Sequence, residues 1–473
     1  MALSDLPKSG SSNFEVVVRN TIHSYRNAID TKAANTHTHG TYGGVSMSLV
    51  SREANLGVGA IGGELSSTTQ EYGNMYTWNA DGNLWQPHSG NYYSSVSLPA
   101  MGTYQNVTGT LTYDLTNSET KEWNGSSWGA DFKRNKNAII NGDFNIWQRG
   151  TSFAAIANGI YSADRIQYFL VGTAVHTISR ATDVPTQSES GHKSNYSLKV
   201  DCTTVDATIA AGDAVAITHK IEGYNFAPFM SKTATLSFWV KAVKTGIYCI
   251  AFQNSVADRS YVAEYTISSA STWEKKTVTL TFSDSGGTWD YTNGTGLSIF
   301  WALAAGTDFQ GVADTWNTAN DLATSNQVNG VDHTDNNFWL SQVQFEIGSV
   351  ATDFEYRQFG DEFAKCRRYY QLSYSYGTYP GAATSNGAKT GSVLYANTVG
   401  SGDRFVVDMR AAPTVTIWNP DGTSGEVVRI ADNVDIAATA AAIGTTGFAN
   451  IASAGLGTIP NAFTYNWEAS AEL

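Results

Sequence analysis

The chain has 473 residues, of which only 15% are charged, and a formal net charge of −13. Its one basic cluster, "KRNK" at 133–136, is too small to track a phosphate backbone, so a nucleic-acid partner is excluded. No run of 18 apolar residues is present, which excludes a helical membrane span, and the first 30 residues show no secretory-leader pattern.

Length alone favours roughly three domains. Aromatics reach 12%, with 13 Trp and 24 Tyr, alongside 44 Gly and only 9 Pro. That balance, rich in Thr, Ser and Asn as well, describes short strands joined by turns. Such a surface is polar but nearly uncharged, which suits sugars. Cys202, Cys249 and Cys366 are odd in number and far apart. Buried free thiols are therefore expected, and a disulfide framework is not.

In chain order, residues 13–33 read as a helix. Phe14, Val18, Ile22, Tyr25 and Ile29 keep one stripe, close to a coiled-coil seam, with Asn13 or Ser12 as N-cap. The alternative is an amphipathic helix packed on its own domain. The residues that follow are Gly-rich and offer little to pack on, which favours self-association into a trimer. In "NTHTHGTYGG", His37 and His39 are two apart, so an extended strand points both imidazoles one way. Three parallel chains would converge six imidazoles on an axis, and imidazole suits iron, zinc or nickel. Two solvated loop histidines are the competing reading. Residues 40–66 are too small and Gly-rich for a compact core.

Residues 67–132 hold two loosely similar hairpin units, "GNMYTWNADGNLWQPHSG" and "GTLTYDLTNSETKEWNGSSWGADF". Trp123 and Trp128 are expected in the small core of the second. From "NGDFNIWQRG" (141–150) onward several segments alternate strictly: "TLSFWVKA", "GIYCIAFQ", "KKTVTLTF" and "LSIFWALAA". They predict half-buried antiparallel strands, with Phe238, Val240, Tyr248, Ile250 and Phe252 pointing inward. "FGDEFAKCRRYYQLSY" (359–374) predicts a short helix leading into a strand, and strand-and-turn sequence then runs to residue 473.

The ordered set "NGDFNIWQRG", "ATLSFWVKA" (234–242) and "NNFWLSQVQFEIGSVATDFEYR" (336–357), followed by "CRRYY", resembles bacteriophage tail fibre and receptor-binding proteins. The resemblance is to their carbohydrate-binding-module-like jelly roll and C-terminal tip domain. The His-x-His pair is similar to the collars of such fibres, and "YD…K…WNG..W" to their shaft elements. The likeness covers residues 137–473 well and the N-terminal third only through short motifs.

It implies a mainly β, elongated homotrimer. Residues 1–36 would be a trimerising helix and tail-attachment segment, 37–66 a His-x-His collar and Gly-rich neck, and 67–136 small β-hairpins. Residues 137–358 would be a jelly-roll β-sandwich whose first strand carries "NGDF", and 359–473 a second β-sandwich at the tip. It further implies an iron, zinc or nickel ion held by His37 and His39 on the threefold axis. A structural calcium is also implied, with Asp143 and Glu346 the matching positions and oxygen ligands the requirement.

No catalytic pattern emerges: GxSxG, HExxH, the phosphate-binding loop and the dinucleotide fingerprint are all absent. Cys366 lies beside Arg367 and Arg368 but in a connector, where a packed thiol is expected. Asp284, Asp290, Asp308 and Asp314 form no diagnostic carboxylate pair, so a non-enzyme is expected. Glycan contacts are expected in two loops that combine flat aromatic faces with amides and carboxylates. One is 283–296, with Trp289, Asp290, Tyr291 and Asn293. The other is 306–337, with Trp316, Asn317, Asn320 and Asp321, long enough to suggest function. Against this, Trp289 and Trp316 could simply cap the sandwich core or sit in trimer contacts. The tip, with "YSYGTYPG" (373–380) and Trp418, is a further candidate for host contact.

The expected partners are the chain itself, a tail, baseplate or adaptor protein, and a host surface polysaccharide. The expected place is the virion tail, after assembly in the host cytoplasm. Two rivals are a capsid-mounted structural fibre or decoration protein and a capsule-degrading tailspike enzyme.

Overall fold

The computed structural model describes residues 136–283, 286–396 and 398–473 in full, together with the backbone of eight short strands between residues 38 and 130. The predicted helix over 13–33, His37 and Asp284 lie outside the described residues. The chain divides into two compact units, Met1–Lys133 and Arg134–Leu473.

In the first unit, β1 (Thr38–Tyr42) pairs with β2 (Val45–Ser48), His39 lying opposite Met47. β3 (Tyr76–Asn79) and β4 (Leu84–Pro87) form an antiparallel hairpin with Trp78 opposite Trp85. β5 (Asn91–Tyr93), β6 (Leu111–Asp114), β7 (Glu119–Trp123) and β8 (Trp128–Ala130) make one small sheet, in which Trp123 and Trp128 are register partners on adjacent strands. Both expected hairpin units are therefore present in the backbone.

The second unit opens with a sandwich of two six-stranded sheets. Its strands are β9 (Ser152–Phe153), β10 (Ile166–Val171), β11 (Val175–Ala181), β12 (Ser197–Thr204), β13 (Ala214–Glu222) and β14 (Thr233–Ala242). They continue with β15 (Gly246–Gln253), β16 (Ser260–Ile267), β17 (Glu274–Thr281), β18 (Thr295–Ala305), β19 (Trp316–Asn317) and β20 (Asn337–Ile347). One sheet runs β10-β13-β18-β15-β16-β19 and the other β17-β14-β20-β12-β11-β9, every named pair antiparallel. Period-2 alternation drives one side of each strand into the space between the sheets. Phe238, Val240, Ile250 and Phe252 are fully buried there, and Tyr248 nearly so, as expected.

Two features differ from expectation. The "NGDF" segment is a turn, not a strand. Asn141 and Phe144 adopt φ of 63° and 51°, outside the extended region. The segment is pinned to β20 through Ala138 N–H to Phe345 O (2.8 Å) and Val343 N–H to Gly142 O (2.9 Å). A Cβ on Gly142 would lie 2.1 Å from the Val343 carbonyl oxygen, so only glycine permits that approach. Second, the 306–337 segment, expected as a long glycan-contact loop, is partly packed into the fold. Leu322 and Ala323 are buried against Ala214, Ala216, Cys249, Ala251 and Ala302, so the segment plugs the outer face of the first sheet. Small residues on that face leave the room for it.

A helix, Phe359–Arg367, then leads into β21 (Tyr370–Leu372). It is followed by β22 (Lys389–Tyr395), β23 (Val399–Arg404), β24 (Thr414–Trp418), β25 (Glu426–Arg429), β26 (Val434–Gly444), β27 (Gly447–Ser453) and β28 (Ala462–Ser470). The expected second sandwich takes another form. The order β28-β22-β23-β27-β26-β25 closes because β25 also pairs with β28, giving a six-strand ring. Phe463, Tyr465, Trp467 and Phe448 fill it. β28 outruns the ring: its second half is flanked by β21 and β24.

Buried charges hold the ring on the sandwich. Glu472 takes hydrogen bonds from Arg149 (2.9 Å) and Arg165. Arg368 forks onto Glu222 at 2.9 and 2.6 Å, and the Tyr369 hydroxyl donates to the same carboxylate at 2.7 Å. The Arg149 and Arg165 guanidinium groups also stack 3.5 and 3.6 Å from the ring centres of Tyr370 and Tyr369. Forked, stacked contacts of this kind need arginine rather than lysine.

Candidate functional site

The two predicted glycan loops meet at one end of the sandwich. Phe282, just after β17, enters the core, and β18 departs at Thr295. Trp316 comes from β19, which adds to the edge of β16. The rings of Trp289 and Trp316 lie edge to face, 5.8 Å apart. Phe282 touches both, at 6.3 and 5.6 Å, Phe226 stacks on Trp289 at 5.2 Å, and Tyr261 leans on Trp316 at 5.4 Å. Both indole N–H groups are used internally, Trp289 donating to the Gly286 carbonyl (3.1 Å) and Trp316 to the Thr281 carbonyl (2.9 Å). Half-buried and saturated in this way, the two tryptophans cap the core. They form the footing of the site rather than its face.

The exposed aromatic surface lies just above. Tyr291 is 40% exposed and stacks parallel to Phe226, 6.4 Å away. Tyr224, 60% exposed, is tied to the same loop by its N–H to the Thr292 carbonyl (2.8 Å). Asn293 is exposed beside them, and its amide donates to the Arg410 carbonyl at 3.3 Å while Arg410 returns a bond to the Asn293 carbonyl at 2.6 Å. Glycine at 223 allows this closeness: a Cβ there would meet the Thr292 amide nitrogen at 2.6 Å. Tyr224 escaped the sequence reading because it lies in a different loop from Tyr291. Only a pairing of the "EGYNF" turn with the 283–296 loop, which no local pattern encodes, would have found it.

The predicted polar residues split. Asp290 serves its own turn, accepting from the Thr292 N–H (2.6 Å) and hydroxyl (2.7 Å). Those bonds hold its carboxyl below the usual range and favour its ionised form. Asn317 braces its loop through the Val312 carbonyl (3.1 Å), and Asn320 accepts from Gln253 (2.6 Å). Asp321 is buried; burial raises its carboxyl pKa, against hydrogen bonds from Ser260 and Asn317 that lower it. A Cβ on Gly311 would lie 2.0 Å from an Asp321 oxygen, so that carboxylate faces its own chain rather than a ligand. Asp308 and Asp314 are exposed. Burial pushes the Cys366 thiol well above its ordinary value and Cys202 to about 11, so neither is a thiolate nucleophile near neutrality.

The two carboxylates expected to bind calcium are already engaged separately. Asp143 takes bonds from Asn145 (2.8 Å), Ser194 and His192 (3.1 Å). Glu346 takes them from Gln344 (2.7 Å) and from the Thr352 N–H (2.9 Å) and hydroxyl. Among the described residues no group of three His, Cys, Asp or Glu side chains converges on a metal position. His39 lies on β1, and its partner His37 is outside the described residues.

A hollow of about 320 Å³ opens elsewhere, lined by residues of 207–211, 304–310 and 327–329. It contains no aromatic or charged side chain and none of the predicted glycan residues.

No protein-family model matches the chain, and no curated protein matches it. Among solved structures it is similar to the enzymatically active domain of bacteriophage CBA120 tailspike protein 4, at 14% identity and a TM-score of 0.24. That match covers 41% of this chain and 21% of the tailspike chain, about a fifth of its length. A putative sugar binding protein from Bacteroides thetaiotaomicron matches at 12% identity and a TM-score of 0.27, covering 45% of this chain and all of the other. A family 11 carbohydrate-binding module from a Clostridium thermocellum cellulase matches at 13% and 0.24, covering 42% and 97%. Likeness at this level assigns no activity to the chain.

Proposed function

We propose that the chain is a trimeric phage tail fibre that joins the virion tail through its N-terminus and binds a host surface glycan through its sandwich. It would act by binding and not by catalysis. The observation that carries the binding part is the rim at the end of the sandwich. Two exposed tyrosines, Tyr224 and Tyr291, stand beside the Asn293 amide on a rigid aromatic footing. Flat ring faces match the CH-rich side of a pyranose, and a fixed amide matches its hydroxyls. The footing matters because ordering costs are met on folding and not again on binding. Three weak sites on one fibre, repeated over several fibres, would give firm adsorption through effective concentration. The fibre part rests on the ordered motifs of the sequence, with His37 and His39 of three chains gathering a transition metal.

The test is glycan binding and host adsorption by the full chain, alongside its mass by light scattering and its metal content. Tyr224→Ala and Tyr291→Ala should each weaken binding about tenfold while leaving the unfolding midpoint near that of the parent. A trimer with about one metal per three chains, lost in the His37→Ala/His39→Ala variant, is the expected assembly. A metal-free monomer that binds no glycan would overturn the proposal.

A further inference from the structure

The outer face of the second sheet carries a feature that none of the predicted site residues belongs to. Lys241 on β14 lies directly across from Trp339 on β20, and Trp339 directly across from Lys199 on β12. Trp273 immediately precedes Glu274 of β17, the residue opposite Val240, and so reaches the other flank of Lys241. A single row therefore crosses four strands in the order Trp273, Lys241, Trp339, Lys199. The Lys241 ammonium lies 4.5 Å from the Trp339 ring centre and 5.5 Å from that of Trp273, and the Lys199 ammonium 5.6 Å from Trp339. Each lysine has its own carboxylate: Lys241 pairs with Asp183, and Lys199 with Asp201 at 3.4 Å. Asp183 also accepts the Trp273 indole N–H at 3.0 Å.

We infer that this row is a second glycan site, one that takes a neutral polysaccharide laid across the strands. The argument has three parts. The indoles are half-buried on the solvent side of a sheet, where burial of the core gives them no role. Their spacing is two strand steps, roughly 9–10 Å, about the length of a disaccharide, so consecutive pairs of rings along a chain meet aromatic faces. The formal charges of the row cancel, two ammonium groups against two carboxylates. Each pair sets a donor beside an acceptor, which suits the vicinal hydroxyls of a neutral sugar and gives a uronate no net attraction.

The inference rests on the reading of the chain as a glycan binder, and the experiment separates the two. The full chain is titrated with neutral glucan, galactan and mannan oligosaccharides, and with oligogalacturonate as the acidic probe. The set comprises wild type, Trp339→Ala, Trp339→Phe, Lys241→Met and the Tyr224→Ala/Tyr291→Ala double variant. Wild type should bind a neutral oligosaccharide at two sites per chain. The tyrosine variant should keep one of them, and Trp339→Ala and Lys241→Met should each weaken that remaining class about tenfold. Should Trp339→Ala unfold, Trp339→Phe and Lys241→Met carry the test, since both keep an apolar side chain of similar reach. Wild-type binding that none of the row variants changes overturns the second site and leaves the tyrosine rim standing. Preference for oligogalacturonate overturns the neutral class. Absence of all binding by wild type overturns both.

Discussion

Replacing Glu472 by glutamine should unfasten the ring from the sandwich. The Glu472 carboxylate is 7% exposed and serves two guanidinium groups, one of which, Arg165, is only 1% exposed. Arg149 retains Asp164 at 3.6 Å after the change, but Arg165 keeps only the Lys220 carbonyl (2.6 Å) and its stacking on Tyr369. A buried cation stripped of its carboxylate costs about 3–5 kcal/mol, whereas an exposed pair would cost under about 1 kcal/mol. Urea unfolding followed by tryptophan fluorescence distinguishes the two, and near-ultraviolet circular dichroism reports whether the sandwich core survives. Glu472→Leu combined with Arg165→Met should recover most of the loss, because two apolar groups leave no charge unpaired. A loss below about 1 kcal/mol in Glu472→Gln would show that water already solvates the junction, and the reasoning would fail.

Acid should weaken the second unit. Burial lowers His176 to about 4 and His219 well below its ordinary value, so both stay neutral in the fold while the unfolded chain takes up protons near pH 6.5. Their contribution is complete well above pH 6.5 and is lost as pH falls, about 2 kcal/mol for His176 by pH 5, with His219 acting in the same direction. Asp164, raised by burial to about 6, works the other way: its contribution is complete below its unfolded value and is lost as pH rises through 6. It returns only about 1 kcal/mol between pH 6 and 5, less than the histidines lose, so the histidines win. Stability that rises on acidification from pH 7 to 5 would refute this, and His219→Gln should flatten the slope. Trp316→Ala should cost about 3 kcal/mol by emptying the centre of the end cap, measured by urea midpoint. Gly391→Ala should cost about 1–3 kcal/mol by overpacking, since its Cβ would lie 2.3 Å from the Phe463 ring; an unchanged midpoint would show that the ring core yields freely.

Strand alternation was the strongest local signal. "TLSFWVKA" and "GIYCIAFQ" place Phe238, Val240, Ile250 and Phe252 inward, and the structure buries all four. The aromatic and amide content of 283–296 and 306–337 singled out two loops, but only the structure shows that their tryptophans, Trp289 and Trp316, meet. What local pattern could not carry was pairing between distant segments. The Tyr224 turn joins Tyr291 through one backbone bond, and the row through Lys241, Trp339 and Lys199 exists only in the register of three strands distant in sequence. The same holds for closure of the C-terminal ring, which depends on two residues of β25 reaching β28. The plug of Leu322 and Ala323 was illegible for another reason: small alanines on a strand read as weak core, and their use as a seat for a loop appears only in three dimensions.

β28 is a spar shared by two structures. Ala462–Tyr465 is bonded to β22 within the ring, and Asn466–Ser470 to β24 beyond it, with β21 on the other flank. A pull that draws the ring away along this strand loads its ladder lengthwise, so the bonds share the force in shear and must fail together. A sideways peel would break them one at a time. Joined this way, the ring resists tension along β28 far better than torsion across it.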